Sequence, residues 1–301
     1  MSRNGRGRHR TRSRREADMN IIDAKALVLR EWTDSATIDA WTRWHPKIQI
    51  QMQSFADEMI GIVGTKAGMH ILDLASGTGE PAISFARAVG ASGKVMATDL
   101  SAGMLAAAAK NAMQAGLENI EFRQVDAHEL PFEDAIFDVV TSRLGVMYFA
   151  DSQQAFAEIR RVLKPGGQFV LAAWGPIESS PYFLSLVVPF VKRASVPPPQ
   201  PGSPQPLRYA VPGTLAEELR IAGFSQVNED VRVINLAWPG TPTELFQHLY
   251  DIAVPMRPLF DGLTPDLFKA ARDEVDSALA PHFDGQCTIT PAAILFAWGI
   301  R

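Results

Sequence analysis

The chain of 301 residues contains one cysteine, Cys287, so an intramolecular disulfide, a cysteine-ligated zinc site and a thiol pair are all excluded. It also lacks any uninterrupted apolar run near the ~20 residues that a membrane helix needs. The best candidate, Phe183 to Val191, is short and interrupted by Pro189. The first residues lack the apolar segment of a secretory signal. No membrane span is expected, and these absences together point to a cytoplasmic protein in a reducing compartment. Cys287 is expected in a strand near the C-terminus, as a small core residue.

The composition is that of a soluble globular protein, with 47% hydrophobic and 21% charged residues. The net charge of -4 hides an asymmetry, because residues 1–15 hold seven arginines and no acid. That arm has no aromatic residue to stack on bases, so a nucleic-acid partner is not expected. It reads as a disordered Arg-rich tail over 1–18, or as an extension of a chain beginning near Met19. The single cysteine, the absent metal-ligand spacing and the ordinary composition leave no metal site to propose.

The most informative stretch is Ile71-Leu72-Asp73-Leu74-Ala75-Ser76-Gly77-Thr78-Gly79-Glu80. An apolar strand runs into a glycine pair, and a helix follows from Pro81. A second strand then ends in Asp99, twenty residues after Gly79. This order holds an adenosine at the carboxyl edge of a parallel sheet. A dinucleotide would put its pyrophosphate on the N-terminus of the following helix. Here that mouth carries the Glu80 carboxylate, Pro81 removes one N–H donor, and the third glycine of the dinucleotide fingerprint is missing. A cationic sulfonium suits such a pocket better than a phosphate does.

The run LDLASGTGEPAISFA resembles motif I of class I S-adenosylmethionine-dependent methyltransferases, and is most similar to the ubiquinone/menaquinone-biosynthesis (type 11) group. The likeness continues through VMATDLSAGMLAAAAKNA, VDAHELPFEDAIFDVVTSRLGVMYFAD and RRVLKPGGQFVLAAWG, in order, over about residues 65–175. It implies an α/β fold, a doubly wound, seven-stranded Rossmann-like sheet with its last strand antiparallel. Strands are predicted at 70–74, 94–98, 119–124, 136–142 and 167–174, and helices near 81–89, 101–115 and 151–163. Later segments read as a helix over 214–222, a strand over 226–236, a helical block over 242–281 and a strand over 286–299. An N-terminal helical cap is expected over 19–64, with Trp32, Trp41, Trp44 and Ile48 on its apolar face. The core spans 65–175, and 176–301 completes the fold. Two inserts in that last part, 176–212 and 239–283, are expected to form a lid and the substrate pocket.

The resemblance implies S-adenosyl-L-methionine as cofactor and assigns its contacts. Asp73 would hold the glycine loop and reach the methionine ammonium. Ala75, Ser76, Gly77 and Gly79 would let the backbone approach the methionine moiety, and Thr78 would cap the next helix or offer its hydroxyl. Asp99 is placed to accept from both ribose hydroxyls, with Ser101 capping the helix that follows. Leu100 and Met104 would pack on the adenine. Asp126 would accept from its exocyclic amine, and the Ala127 N–H would donate to a ring nitrogen. Ser142 and Arg143 face the region of the methyl group. Lys164-Pro165-Gly166-Gly167 reads as a structural turn.

Methyl transfer from a sulfonium needs chiefly proximity, alignment and exclusion of water, so no catalytic residue has to be conspicuous. The candidates are His45, Arg143, Tyr148 and His248, while His128 is expected to face solvent. The inserts offer Trp, Phe, Met and Pro, which favours a small, largely apolar or aromatic methyl acceptor, methylated on oxygen or carbon. The alternatives are N- or S-methylation of a small molecule, or RNA methylation aided by the basic tail. A nicotinamide-dependent oxidoreductase and a non-catalytic binding module are the rivals from other classes. An arsenite-methylating chemistry would need several thiols, and no Asn-Pro-Pro-Tyr base-methylation motif is present.

Overall fold

The protein is described by a computed structural model covering residues 21–197, 199–200 and 202–301. The Arg-rich tail and the residue proposed as a start, Met19, lie outside the described residues. The predicted cap is two helices, α1 over 21–33 and α2 over Ser35–Ile62. Asp34 between them is extended, and its carboxylate accepts the Thr37 N–H at 3.1 Å, so the chain turns there because α2 has its own N-cap.

An alternating series follows: β1 (His70–Leu74), α3 (Ala82–Val89), β2 (Lys94–Asp99), α4 (Ala102–Gln114), β3 (Ile120–Gln124), β4 (Phe137–Arg143), α5 (Ser152–Val162) and β5 (Leu163–Trp174). The chain then forms α6 (Pro181–Leu186), α7 (Val188–Val191), α8 (Thr214–Ile221), β6 (Ser225–Trp238), α9 (Pro242–Ile252), α10 (Arg257–Asp261), α11 (Pro265–Leu279) and β7 (Thr288–Ile300). The seven strands lie in the order β3-β2-β1-β4-β5-β7-β6. β1 to β5 pair in parallel, and β7 runs antiparallel to both β5 and β6. The predicted sheet is the observed one. Ile71, Leu72, Asp73 and Leu74 are all buried, as a strand covered on both faces requires. The strand order reverses at β1, between β2 and β4, and that switch point is where such sheets bind ligands.

Three local expectations change. β5 starts at Leu163 rather than 167, because Leu163 already pairs with Phe137. The Lys164-Pro165-Gly166-Gly167 turn then bulges out before pairing resumes at Gln168 opposite Val139. The helical block 242–281 is three helices, since Pro258 and Pro265 each open a new one. Cys287 is half-buried in the turn before β7 rather than in the strand, its N–H donating to Asp284 Oδ1 at 2.7 Å.

α2 is fixed on the sheet by Phe55, which is fully buried and meets Trp174 and Phe296 edge-on, with ring centroids 6.1 and 6.5 Å away. The two inserts meet through an aromatic cluster. Phe190 of α7 stacks on Phe246 of α9 at 5.3 Å and meets Phe260 and Phe268 of α10 and α11 at 4.9 and 5.3 Å.

Candidate functional site

A cavity of about 260 Å³ opens at the carboxyl ends of β1 to β4. Its floor is the turn after β1 (Leu74, Ala75, Ser76, Gly77, Thr78, Glu80), the end of β2 (Thr98, Asp99, Leu100) and the segment after β3 (Val125, Asp126, Ala127, His128). The segment after β4 contributes Arg143, Leu144, Gly145 and Tyr148 to Ala150. The cap closes the cavity through Lys25, Val28, Leu29 and Trp32 of α1 and Trp41 and Met52 of α2. None of the described residues of 176–212 or 239–283 lines it. Phe190, Phe246, Phe260 and Phe268 of the two inserts pack together instead.

The floor is shaped by glycine. Gly77 has φ +53, and a Cβ there would meet nothing within 4 Å. A Cβ on Gly145 would strike the Ala75 Cβ at 2.5 Å and the Ser142 Oγ at 2.7 Å, which explains the close approach of the β4 segment to the turn. Gly79, at φ +119, packs against Ile83 and Ala108 and lies behind the cavity wall with Asp73 and Ser142.

Asp99 is 9% exposed and organises the floor. It accepts the Gly77 N–H at 2.9 Å and the Ser101 N–H at 2.8 Å, one on each oxygen. Ser101 caps α4 as predicted, accepting from the Met104 N–H. Asp99 is nonetheless not free, since it holds the turn, although a carboxylate with two such bonds keeps lone pairs for further donors. Burial pushes its pKa up, against the pull of those N–H groups.

Four ionisable groups meet at the turn end. Asp73 is fully buried with neither carboxylate oxygen hydrogen-bonded, and burial pushes its pKa up to about 8. Glu80 is 6% exposed; its Oε1 accepts from Gln49 Nε2 at 3.0 Å and its Oε2 from the Ser84 hydroxyl at 2.7 Å. Arg143 donates to the Met52 carbonyl at 3.2 Å; burial lowers its pKa, and the charges of Glu80 and Asp73 oppose that. His45 places Nδ1 2.8 Å from the Thr78 hydroxyl, and burial, then Arg143, pushes its pKa down to about 4. Thr78 therefore offers its hydroxyl to His45 and does not cap α3, whose N-cap position is Pro81.

At the other end, Asp126 accepts from the His128 N–H at 2.9 Å and from its ring Nδ1, and Lys25 of α1 lies 3.6 Å away. Burial raises the Asp126 pKa, but the His128 bonds and Lys25 outweigh it and hold it down to about 2. His128 is buried rather than solvent-facing, because the Asp151 N–H donates to its Nε2 at 3.1 Å and Phe149 covers it. With Nε2 accepting, the ring proton sits on Nδ1 and points at Asp126.

Of the candidate catalytic residues, Arg143 and Tyr148 line the cavity. Burial raises the Tyr148 pKa, so its phenol stays protonated, and its ring meets Trp32 edge-on at 5.2 Å. His45 reaches the cavity only through Thr78. His248 is elsewhere, fully buried, stacked 4.4 Å from Trp238 and edge-on to Trp44. The wall-forming roles of Lys25, Leu29, Trp32 and Met52 were not assigned from sequence. The apolar stripe over 32–48 was the available signal, and it does not say which residues meet a ligand.

Residues 48–188, just under half of the chain, match the ubiE/COQ5 methyltransferase family. Among curated relatives, the ubiquinone/menaquinone biosynthesis C-methyltransferase UbiE of Hahella chejuensis is 40% identical over 124 residues, covering 40% of this chain and 50% of that protein. The protein of the same name from Ectopseudomonas oleovorans is 41% identical over 110 residues, covering 36% of this chain and 65% of the relative. The chain spans about half the length of the curated relatives it matches first. Among solved structures, the YcgJ protein from Bacillus subtilis superposes with a TM-score of 0.54 at 20% identity, covering 82% of this chain and 97% of that one. Phosphoethanolamine N-methyltransferase 2 of Haemonchus contortus, solved with phosphomonomethylethanolamine and S-adenosylhomocysteine, gives 0.55 at 19% identity, covering 91% of this chain and 60% of that one. At such identities the structures share the fold.

Proposed function

We propose that the chain is an S-adenosylmethionine-dependent methyltransferase acting on a small, largely apolar or aromatic acceptor, with oxygen or carbon as the methylated atom. The observation that carries this reading is the buried carboxylate of Glu80 in the cavity floor, locked by Gln49 and Ser84 where a dinucleotide would need to place phosphate. With Asp73 and Asp99 near it, this end of the cavity favours a cation. The open space beside Gly77, with Glu80 and Asp99 lining the cavity there and Asp73 buried behind it, fits an amino-acid tail carrying an ammonium.

When bound, S-adenosylmethionine supplies an electrophilic methyl group on a positively charged sulfur. The chain's residues would divide the rest. Gly77 and Ser76 admit the methionine backbone, Arg143 meets its carboxylate, and the remaining lone pairs of Asp99 accept ribose hydroxyls. Asp126, fixed by His128 and ionised, accepts an adenine amine between Leu100 and Met104. The aromatic and apolar cap side chains Leu29, Trp32, Trp41 and Met52 close the cavity opposite the turn. They exclude water and face the acceptor, which is why an apolar acceptor is preferred. Alignment of two bound reactants can supply ~7–11 kcal/mol, enough that no general base is demanded. The match of residues 48–188 to the ubiE/COQ5 family and the 40% identity over 124 residues to a curated C-methyltransferase support carbon as one target atom.

The deciding experiment is transfer of an isotopically labelled methyl group from S-adenosylmethionine into a fractionated extract, read by mass spectrometry. Label in a low-molecular-weight apolar fraction is the expected result, and its mass identifies the acceptor. Label confined to RNA or protein would overturn the small-molecule reading. Calorimetry should show binding of S-adenosylhomocysteine and none of NAD.

A further inference from the structure

α2 grips the glycine turn with every fourth residue. His45 reaches Thr78 at 2.8 Å, Gln49 reaches Glu80 at 3.0 Å, and Gln53 reaches Ser84 at 3.2 Å. Residues four apart lie on one helix face, so this is a continuous polar seam between the cap and the turn with the first residues of α3. Two of its three partners, Thr78 and Glu80, line the cavity, while His45 does not.

Resting on the cofactor reading above, we propose that His45 is a positioning residue that fixes the Thr78 hydroxyl for the methionine end of the cofactor. It is not a general base. A free threonine hydroxyl rotates among several directions and has one proton and two lone pairs to offer. Thr78 is 5% exposed, and its backbone carbonyl is already held by Asn111 Nδ2 at 2.9 Å. Its hydroxyl is the remaining freedom, and the His45 ring removes it. Burial and Arg143 keep His45 neutral across the physiological range, so Nδ1 and the hydroxyl share one proton between them. Whichever of the two donates, the other valence of the hydroxyl is turned away from His45, toward the cavity that Thr78 lines. A proton-accepting role for His45 would require contact with the acceptor, and Thr78 stands between.

The test is a double-mutant cycle on S-adenosylhomocysteine binding by calorimetry, with KM for S-adenosylmethionine and for the acceptor measured in parallel. His45→Phe should weaken binding about 3- to 10-fold, the range of one hydrogen bond, and raise KM for S-adenosylmethionine without raising that for the acceptor. Thr78→Val should do the same, and the double variant should be no worse than either single one. His45→Asn, whose amide can occupy the Nδ1 position, should recover most of the loss. Additive single effects, no rescue by His45→Asn, or an equal rise in both KM values would overturn the proposal. A fall in thermal stability shared by His45→Phe and His45→Asn, with unchanged binding, would assign His45 to packing alone. Absence of S-adenosylhomocysteine binding by the wild-type chain would instead overturn the cofactor reading, and this proposal with it.

Discussion

The two faces of α2 bury the same residue type to opposite ends. His45, on the face toward the glycine turn, gives its ring nitrogen to Thr78. His248 meets the other face by way of Trp44, and neither ring nitrogen has a hydrogen-bond partner among the described residues. Burial pushes both pKa values down, to about 4 and about 3. A depressed histidine pKa therefore does not mark a site here, since at His248 burial is enough to produce it. What separates them is whether the ring's hydrogen bonding reaches a cavity. The turn-side face is polar and cross-linked to residues that line a cavity. The face toward α9 is aromatic, with Trp44, Trp238 and His248 packed together behind the Arg43–Asp251 and Lys47–Glu244 ion pairs.

That contrast breaks most sharply at the floor. Asp99→Ala should weaken S-adenosylhomocysteine binding about 10- to 100-fold, because it removes the charge-assisted bonds proposed between Asp99 and the ribose, each worth ~1.5–3 kcal/mol. It also frees the Gly77 N–H, so the turn itself should loosen. Calorimetry reads the first effect and amide exchange at Gly77 the second. Unchanged binding would remove Asp99 from the proposed site.

On the other face the expected sign reverses. His248→Phe replaces two unpaired buried nitrogens with carbon in a ring of similar shape, so the desolvation cost disappears. The melting temperature should rise by about 2–4 °C with turnover unchanged. The pH dependence follows from the depressed pKa. Between about 3 and the ordinary value of 6.5 the unfolded chain binds the proton and the folded chain does not, so stability falls as pH falls through that window. His45 contributes in the same direction between about 4 and 6.5. Each can add up to about 1.4 kcal/mol per pH unit, and His248→Phe should remove its share of the acid slope. A melting temperature that drops at pH 7, or lost turnover, would place His248 in a working site after all.

Asp73 gives a smaller, ligand-linked effect. Its pKa of about 8 exceeds the unfolded value of 3.8, so at pH 7 the folded, free protein holds that proton. A cation held in the cavity in front of Asp73 favours its carboxylate through the wall, so binding S-adenosylhomocysteine at pH 7 should release up to one proton. Calorimetry in phosphate and in Tris should then give different binding heats, and Asp73→Asn should abolish the difference. Buffer-independent heats in the wild type would mean that the ammonium is held elsewhere.

The turn side was legible in the sequence for a physical reason. A strand buried on both faces must be written as a contiguous apolar run, and Gly77 and Asp99 are demanded by backbone geometry at fixed spacing. The strand-helix alternation and the turn follow from those constraints, whereas the antiparallel last strand and the roles of the floor acids were implied by the family resemblance. The cap was legible only as a helix. Trp41 and Trp44 are three residues apart on one apolar stripe, yet Trp41 meets the cavity and Trp44 meets α9. Hydrophobic spacing cannot separate a ligand from a neighbouring helix. The inserts are ambiguous for the same reason, since Phe190, Phe246, Phe260 and Phe268 would satisfy a substrate or one another equally well. His128 failed differently: its burial depends on the Asp151 N–H, which no local pattern announces.

The weakest link between cap and floor is Lys25 on Asp126, and it offers the finest test of whether α1 acts electrostatically or by packing. The pair is 3.6 Å apart with side chains 34% and 38% exposed, so it is expected to contribute less than ~1 kcal/mol. Lys25→Ala should weaken S-adenosylhomocysteine binding about 2- to 3-fold at low ionic strength, as α1 loses its hold on Asp126, the carboxylate proposed to read adenine. At 1 M salt, where the screening length is ~3 Å, wild type and variant should converge. A loss that persists at high salt would assign the effect to the aliphatic stem of Lys25 packing over the cavity. The cap would then close on the cofactor as it closes on Tyr148, through apolar contact alone.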